Sequence, residues 1–246
     1  MSNNHNQYTI ALAGNPNTGK STLFNLLTGL RQHTGNWTGK TVAHAEGFFD
    51  YKGQSYQITD LPGTYSLYSN SADEEVARDF IIFAKPDVTL VVLDATALER
   101  NLNLALQVLE MTSQVIVCVN LMDEAKKKGI QIDIHKLSQK LGVPIVPISA
   151  RNEEGIDQLL DTIDQMVRGD IQTNPLQISY NRAIEEKIEK LVPFVKQVIG
   201  DHYPARWIAL RLLDGDMSLL QSLQKEPQQF LKEVPHYACN CSTKSI

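Results

Sequence analysis

From Tyr8 to Arg168 the chain alternates short β-branched runs with segments of helical period. Tyr8 to Ala13 (YTIALA) reads as a strand, followed by a helix from Lys20 to Leu30 with Leu23, Phe24, Leu26, Leu27 and Leu30 apolar. Val42 to Tyr51 and Ser55 to Thr59 read as two strands joined by a turn at Lys52 and Gly53. Asp73 to Ala84 is helical, with Glu74 and Arg78 spaced as an i,i+4 pair. Val88 to Leu93 (VTLVVL) and Val115 to Val119 (VIVCV) are nearly continuous apolar runs, the pattern of strands covered on both faces, with a helix from Leu98 to Met111 between them. Ile134 to Leu141, Ile145 to Ile148 and Ile156 to Val167 continue as helix, strand, helix. This alternation predicts right-handed βαβ crossovers and an α/β, doubly wound, mostly parallel sheet of six to seven strands.

The rhythm breaks at Gly169 to Ser179, which reads as a linker. Beyond it the spacing of Ile184, Ile188, Leu191, Val195 and Val198 predicts a helix, which Pro193 should kink or divide. Arg206 to Leu213 and Ser218 to Leu223 are further helices, and Phe230 to Val234 a weaker one. The expected division is therefore a first domain over 1–168 and a small helical domain over 169–246. Lys126 to Lys128 is a charge run expected in a solvated loop.

Composition narrows the class. Of 246 residues 42% are apolar and 21% charged, which supports a packed core rather than disorder. With 28 acidic against 23 basic side chains the net charge is -5, which argues against a nucleic-acid partner. Cys118, Cys239 and Cys241 are too few for a disulfide framework, and neither a secretory leader nor a membrane-length apolar run is present, so the chain alone is expected to be soluble and cytoplasmic.

The chemistry begins at Gly14-Asn15-Pro16-Asn17-Thr18-Gly19-Lys20-Ser21, a G-x-x-x-x-G-K-[ST] run between a predicted strand and a predicted helix. Backbone N–H groups of such a loop close around phosphate oxygens, and the helix N-terminus adds partial positive charge. Lys20 is placed to reach the β- and γ-phosphates, the Ser21 hydroxyl to bind Mg2+, and Thr22 belongs to the same first turn. Asp60-Leu61-Pro62-Gly63 ends a predicted strand, where Asp60 can hold a Mg2+-bound water and Gly63 can donate its N–H to the γ-phosphate. Between the motifs, Thr34, Thr38 and Thr41 compete to complete the Mg2+ shell. Asn120-Leu121-Met122-Asp123 follows an apolar strand: a carboxylate such as Asp123 accepts both N1–H and the exocyclic amine of guanine and rejects adenine. Asn120 would brace that loop, and Ser149-Ala150, after the next strand, would offer a backbone N–H to the guanine O6.

These residues in this order resemble the Ras-like, translation-factor-related GTPase superfamily. GNPNTGKSTLFN, GNWTGKTV, DLPGTYSL, ARDF and VVLDAT followed by LERNL sharpen the likeness to the cytosolic G domain of the ferrous-iron transport protein B family, over about residues 8 to 168. The resemblance implies a domain that binds GTP or GDP at the cytoplasmic face of the inner membrane, followed in the same polypeptide by a permease. It also implies activation by K+ held by Asn17 and the backbone carbonyls of Gly35 and Trp37, and it selects Thr41 among the threonines. On that reading Asn17, Lys20, Thr41 and Gly63 carry catalysis. A homo-oligomer is a further partner class left open.

Two departures from the wider superfamily bear on rate and affinity. Thr64 stands where many GTPases carry a water-orienting glutamine, so hydrolysis is expected to be slow unless a cation such as K+ supplies charge at the β–γ bridge. Leu121 replaces a common lysine, which should weaken binding and speed GDP release. Lys40 stands where related transporters often have an apolar residue. Trp37 is read as shielding nucleotide, Glu74 and Glu75 as surface charges favoured by a helix start rather than water-positioning groups, and Cys239-Asn240-Cys241 with His236 as a tail rather than a metal site. Competing functions are an RNA-associated assembly GTPase, disfavoured by the acidic charge, and a nucleotide-gated docking module without turnover.

Overall fold

The computed structural model describes residues 7–29, 31–37, 42–68 and 71–224. Seven strands form one mixed sheet: β1 (Gln7–Gly14), β2 (Gln32–Asn36), β3 (Ala43–Tyr51), β4 (Gln54–Asp60), β5 (Val88–Asp94), β6 (Val115–Asn120) and β7 (Ile145–Pro147). Their order is β2-β3-β4-β1-β5-β6-β7, with β1 parallel to both β4 and β5, and the β5–β6 and β6–β7 pairs also parallel. The β2–β3 and β3–β4 pairs are antiparallel. Lys52 and Gly53 turn β3 into β4 with φ of 47° and 79°, the left-handed pair a tight hairpin needs.

β2 was not legible in the sequence. Its residues, QHTGN, carry no apolar alternation because it is an edge strand exposed over most of its length. The central strands show the reverse. On β5, Val91 and Leu93 enter one apolar cluster while Val88, Leu90 and Val92 enter the other, and β6 divides Val115, Val117 and Val119 from Ile116 and Cys118 in the same way. Continuous apolar runs are what such two-sided burial requires. Burial also pushes the Cys118 thiol up to about 12, so it is inert core.

Helices α1 (Lys20–Thr28) and, late in the chain, α6 (Ile156–Val167) cover one face through Leu23, Phe24, Leu159 and Ile163. The other face receives α2 (Ala72–Asp79), α3 (Leu98–Met111), α4 (Met122–Lys127) and α5 (Ile134–Leu141). Two expectations need correction here. Lys126 and Lys127 belong to α4 rather than a loop, their cations favoured in its last turn. The helix expected over 73–84 changes form: α2 runs on as a π-helix over Phe80–Ala84.

Beyond Gly169 the chain crosses the surface without strand or helix, yet it is stitched down. Asn174 and Leu176 donate backbone bonds to Gly142 and Leu141, and the Thr173 hydroxyl donates to Ser113. Among the described residues three helices follow: α7 (Arg182–Ile199), α8 (Ala205–Leu213) and α9 (Met217–Gln224). The Asn181 side chain caps α7 by accepting from the Ile184 N–H at 3.1 Å. Pro193 does not divide this helix, which is continuous across it. Ile188 and Val195 of α7 and Trp207 and Ile208 of α8 join the same apolar cluster as α3, so burial on both sides of the proline holds the helix together. Phe230 to Val234, Cys239, Cys241 and His236 lie outside the described residues, and among those described no helix is long and apolar enough to cross a membrane.

Candidate nucleotide-binding site

The parallel strands β1, β4, β5 and β6 bring their C-terminal ends to one edge of the sheet, where the motifs converge. β1 ends at Gly14 and α1 starts at Lys20, leaving Asn15 to Gly19 as the loop. Gly14 has no room for a side chain, since a Cβ there would lie 2.8 Å from the Val92 carbonyl oxygen. Gly19 has φ +80° and its Cβ would fall 2.3 Å from Asn120 Nδ2. Asn17 also takes a left-handed φ of 66°, with its side chain exposed. No side chain caps α1, so its first N–H groups face the loop, with Ser21 and Thr22 exposed beside them.

Asn120 joins three motifs. Its Nδ2 donates to the Thr18 carbonyl at 2.9 Å, and its Oδ1 accepts from the Ala150 N–H at 3.0 Å. With 1% exposure this carboxamide is a buried strut from the phosphate loop to the Ser149-Ala150 turn. Ser149 Oγ in turn donates to Asp123 Oδ1 at 2.8 Å. That hydrogen bond holds the Asp123 carboxyl below the usual carboxylate range, a fixed anion at the edge of the pocket. Leu121 takes φ 62°, ψ 32°, a left-handed turn that carries the chain from β6 into α4.

The other side is built around a charge pair. Lys20 Nζ is ion-paired with Asp60 and donates to the Leu61 carbonyl at 2.6 Å. Burial pushes the Asp60 carboxyl up, and Lys20 opposes that push. Gly63 lies against Pro16, its Cβ position 3.4 Å from the proline nitrogen, and the Thr64 N–H donates to the Gly14 carbonyl at 3.3 Å. Thr64 is itself buried. Asn15 is also buried, and its carboxamide has no hydrogen-bond partner among the described residues.

Residues 8–163 match the family model described as ferrous iron transport protein B, and residues 180–238 match that of the FeoB cytosolic helical domain. The chain belongs to the ferrous iron transport protein B family. Its seven-stranded G-domain fold followed by helices matches the solved cytosolic domain of T. maritima FeoB in a GDP form, at TM-score 0.81 and 37% identity over 89% of this chain and 85% of that one. The cytosolic domain of L. pneumophila FeoB is similar at TM-score 0.79 and 36% identity, covering 92% and 88%. Among curated relatives, the Fe(2+) transporter FeoB of Salmonella typhimurium is 39% identical over 216 residues, 85% of this chain and 27% of that protein. The chain thus spans about a quarter of the length of the curated relatives it matches.

The stretch between α1 and β3 that holds the candidate threonines is only partly described: Thr38, Lys40 and Thr41 lie outside the described residues. Thr34 and Gly35 are in β2, paired with Ala45 and His44. Trp37 turns its indole onto Phe80, ring centroids 5.5 Å apart, and onto His44 at 5.0 Å. The Trp37 N–H donates to the Val42 carbonyl, and antiparallel alternation then puts Gly35 in the hydrogen-bonded register with His44. Asn17, Gly35 and Trp37 are thus held by separate arrangements in this structure.

A buried ionic corner escaped the sequence reading. Arg78, fully buried, binds Asp79 at 2.6 Å and Asp216 at 3.3 Å, and donates to Ser218 Oγ at 2.9 Å. Arg211 donates to Asp216 at 3.2 Å and to the Tyr68 carbonyl at 3.2 Å, with its guanidinium over the Tyr68 ring. The segment after Gly63 is thereby tied to the α8–α9 corner. The only hint in the sequence is the arginine of ARDF, in the last turn of α2, which the i,i+4 spacing assigned to Glu74. Glu74 accepts from Ser66 Oγ at 2.8 Å, at the start of α2.

Proposed function

We propose that this chain is the GTP-binding and GTP-hydrolysing regulatory part of a ferrous-iron transporter, with a G domain over 1–168 and a switch-coupled helical domain over 169–246. The observation that carries the reading is the Asn120 strut, which sets the phosphate loop and the Asp123 carboxylate in one frame. Asp123 reads guanine, the Ala150 N–H turns from Asn120 Oδ1 or is shared with it to meet O6, and the loop amides from Asn17 to Lys20 with Ser21 and Thr22 take the phosphates. T. maritima FeoB has been solved in GDP and GMPPNP forms, which supports the same ligand class here.

The donors suit Mg2+. Among the described residues no three His, Cys, Asp or Glu side chains cluster as a self-sufficient metal site, and Mg2+ typically takes one or two carboxylates plus phosphate oxygens. Ser21, Thr41 and Asp60 would hold it, and it would offset charge on the phosphates. For that, Lys20 must leave Asp60 and the Leu61 carbonyl and turn to the phosphates. Asp60, pushed up by burial and held toward its charged form by Lys20, would then be the carboxylate on the metal side of the site. Gly63, against Pro16, is set to bring its N–H to the γ-phosphate.

Thr64 is too short and too buried to orient the attacking water, so intrinsic turnover is slow. Asn17 presents a neutral amide oxygen at an exposed corner, a donor suited to K+, with the carbonyls of Gly35 and Trp37 as its partners. Recruiting them requires Trp37 to leave Phe80. The Tyr68–Arg211 and Arg78–Asp216 contacts carry the change to the helical segment, an order–disorder or shift mechanism common to such switches. The remaining transporter, at the cytoplasmic face of a membrane, is the partner that reads it.

Calorimetry with GDP, GTP and ATP tests the core of this reading: both guanine nucleotides bind and ATP does not. Hydrolysis faster in K+ than in equimolar Na+, with the difference lost in Asn17→Ala, tests the cation. Equal uptake of ATP refutes the first, and equal rates in both salts the second.

A further inference from the structure

At the N-terminal ends of β5 and β6, opposite the phosphate loop, an open cleft of about 540 Å3 lies between the sheet layer and the helical segment. Its lining includes the largely buried side chains of Ile82, Met111 and Met166 and the exposed Lys85, Arg168 and His202. The lining charges differ in what they already hold. Arg168 is committed to Asp164 at 2.8 Å and Asp170 at 3.4 Å. Asp87, also in the lining, accepts from the Thr9 N–H at 2.6 Å and the Thr9 hydroxyl at 2.9 Å. Lys85 has no such carboxylate among the described residues. Its Nζ lies 4.1 Å from the centroid of the Tyr203 ring, and burial alone pushes its ammonium pKa down.

The backbone sets Lys85 apart as well. It takes φ +49° without being glycine, at the end of the π-helix over Phe80–Ala84. Wide π turns and left-handed non-glycine residues are both costly and concentrate at functional places. This π-helix spans the molecule in a useful direction: Phe80 touches Trp37 on the nucleotide side, and Phe83 packs on Tyr203 at 5.9 Å on the cleft side.

We propose that this cleft binds a small monoanionic amphiphile, a carboxylate or sulfonate on an apolar body, with Lys85 as its counter-charge, and that the π-helix relays occupancy to the switch segments. A cation that no described carboxylate holds, resting on a ring face beside buried apolar side chains, matches a single anionic group with a hydrocarbon or ring attached. The volume lies within the range of about 300–1,000 Å3 usual for such ligands. The net charge of -5 disfavours a polyanionic occupant such as nucleic acid. Only the relay rests on the GTP reading, because binding is measured without nucleotide.

The probe is anilinonaphthalene sulfonate, followed by fluorescence on the full chain. Saturable binding is expected, displaced by octanoate but not by octanol or GDP. Lys85→Met is expected to weaken it about tenfold or more, and Lys85→Arg to retain it. Displacement by octanol as well as octanoate, displacement by GDP, or unchanged affinity in Lys85→Met overturns the site. Binding only to anionic lipid vesicles, without octanoate competition, overturns it in favour of a membrane surface. For the relay, octanoate is expected to change the release rate of a fluorescent GDP analogue by about twofold or more. Binding with no change in release overturns the relay while leaving the site.

Discussion

The two sides of the pocket, the Asn120–Asp123 side proposed to read the base and the Lys20–Asp60 side proposed to act on phosphate, are built on opposite terms. On the base side the bonds build a scaffold beneath Asp123: Asn120 bonds Thr18 and Ala150, and Ser149 bonds Asp123. On the switch side the groups with chemistry to perform hold one another, Lys20 with Asp60 and Trp37 with Phe80. Preorganised donors lose little on binding, whereas paired groups must first be separated. On the proposed reading, guanine selectivity is a standing property of the fold, and hydrolysis has to be assembled by the ligand.

The comparison breaks most visibly if the frame is removed. Gly19→Ala puts a Cβ into Asn120 Nδ2 and strains a φ of +80°, so the loop must shift. Nucleotide binding measured by calorimetry should fall below detection, with the melting temperature lowered as well. Arg78→Ala acts on the switch side without touching nucleotide. It leaves Asp79 and Asp216 buried with a lost partner, and breaking a buried pair costs about 3–5 kcal/mol, readable by urea unfolding. A loss under about 1 kcal/mol would mean that the ionic corner is not what ties α2 to α8 and α9.

Asp123→Asn sharpens the base side. It should lower GTP affinity about 100-fold and favour xanthosine triphosphate, whose ring presents the complementary pattern, as measured by competition binding. Ser149→Ala is milder: it removes one hydrogen bond to a carboxylate and should speed release of a fluorescent GDP analogue about 5- to 20-fold. The pH dependence is the smallest effect. Asp123 has a folded pKa below its ordinary value, so its contribution is present above that ordinary value of about 3.9 and is lost only as pH falls through the lower, folded one. GDP affinity at constant salt should be flat from about pH 8 to about pH 5 as far as this carboxylate is concerned. Ser149→Ala should move the acid limb upward.

Local signals made most of the fold legible. Leu98 to Met111, Ile134 to Leu141 and Ile156 to Val167 are helices over the spans their apolar spacing predicts, and the doubly buried strands announce themselves as unbroken apolar runs. Legibility failed where burial and period part company. β2 is polar because it is an edge, and Pro193 sits inside a continuous helix because packing on both sides outweighs one missing N–H. The π-helix has no period that five residues could display.

For the site, sequence alone determined which residue types stand at the strand ends, because phosphate cradling and guanine recognition impose fixed local spacings. The lattice between them was decided by tertiary structure. Asn120 meets Thr18 across 102 positions and Arg78 meets Asp216 across 138, contacts that no local pattern encodes. The physical reason is that a buried carboxamide or guanidinium must find partners wherever the packed chain supplies them, and only the closed sheet with its helices in place settles which residues those are.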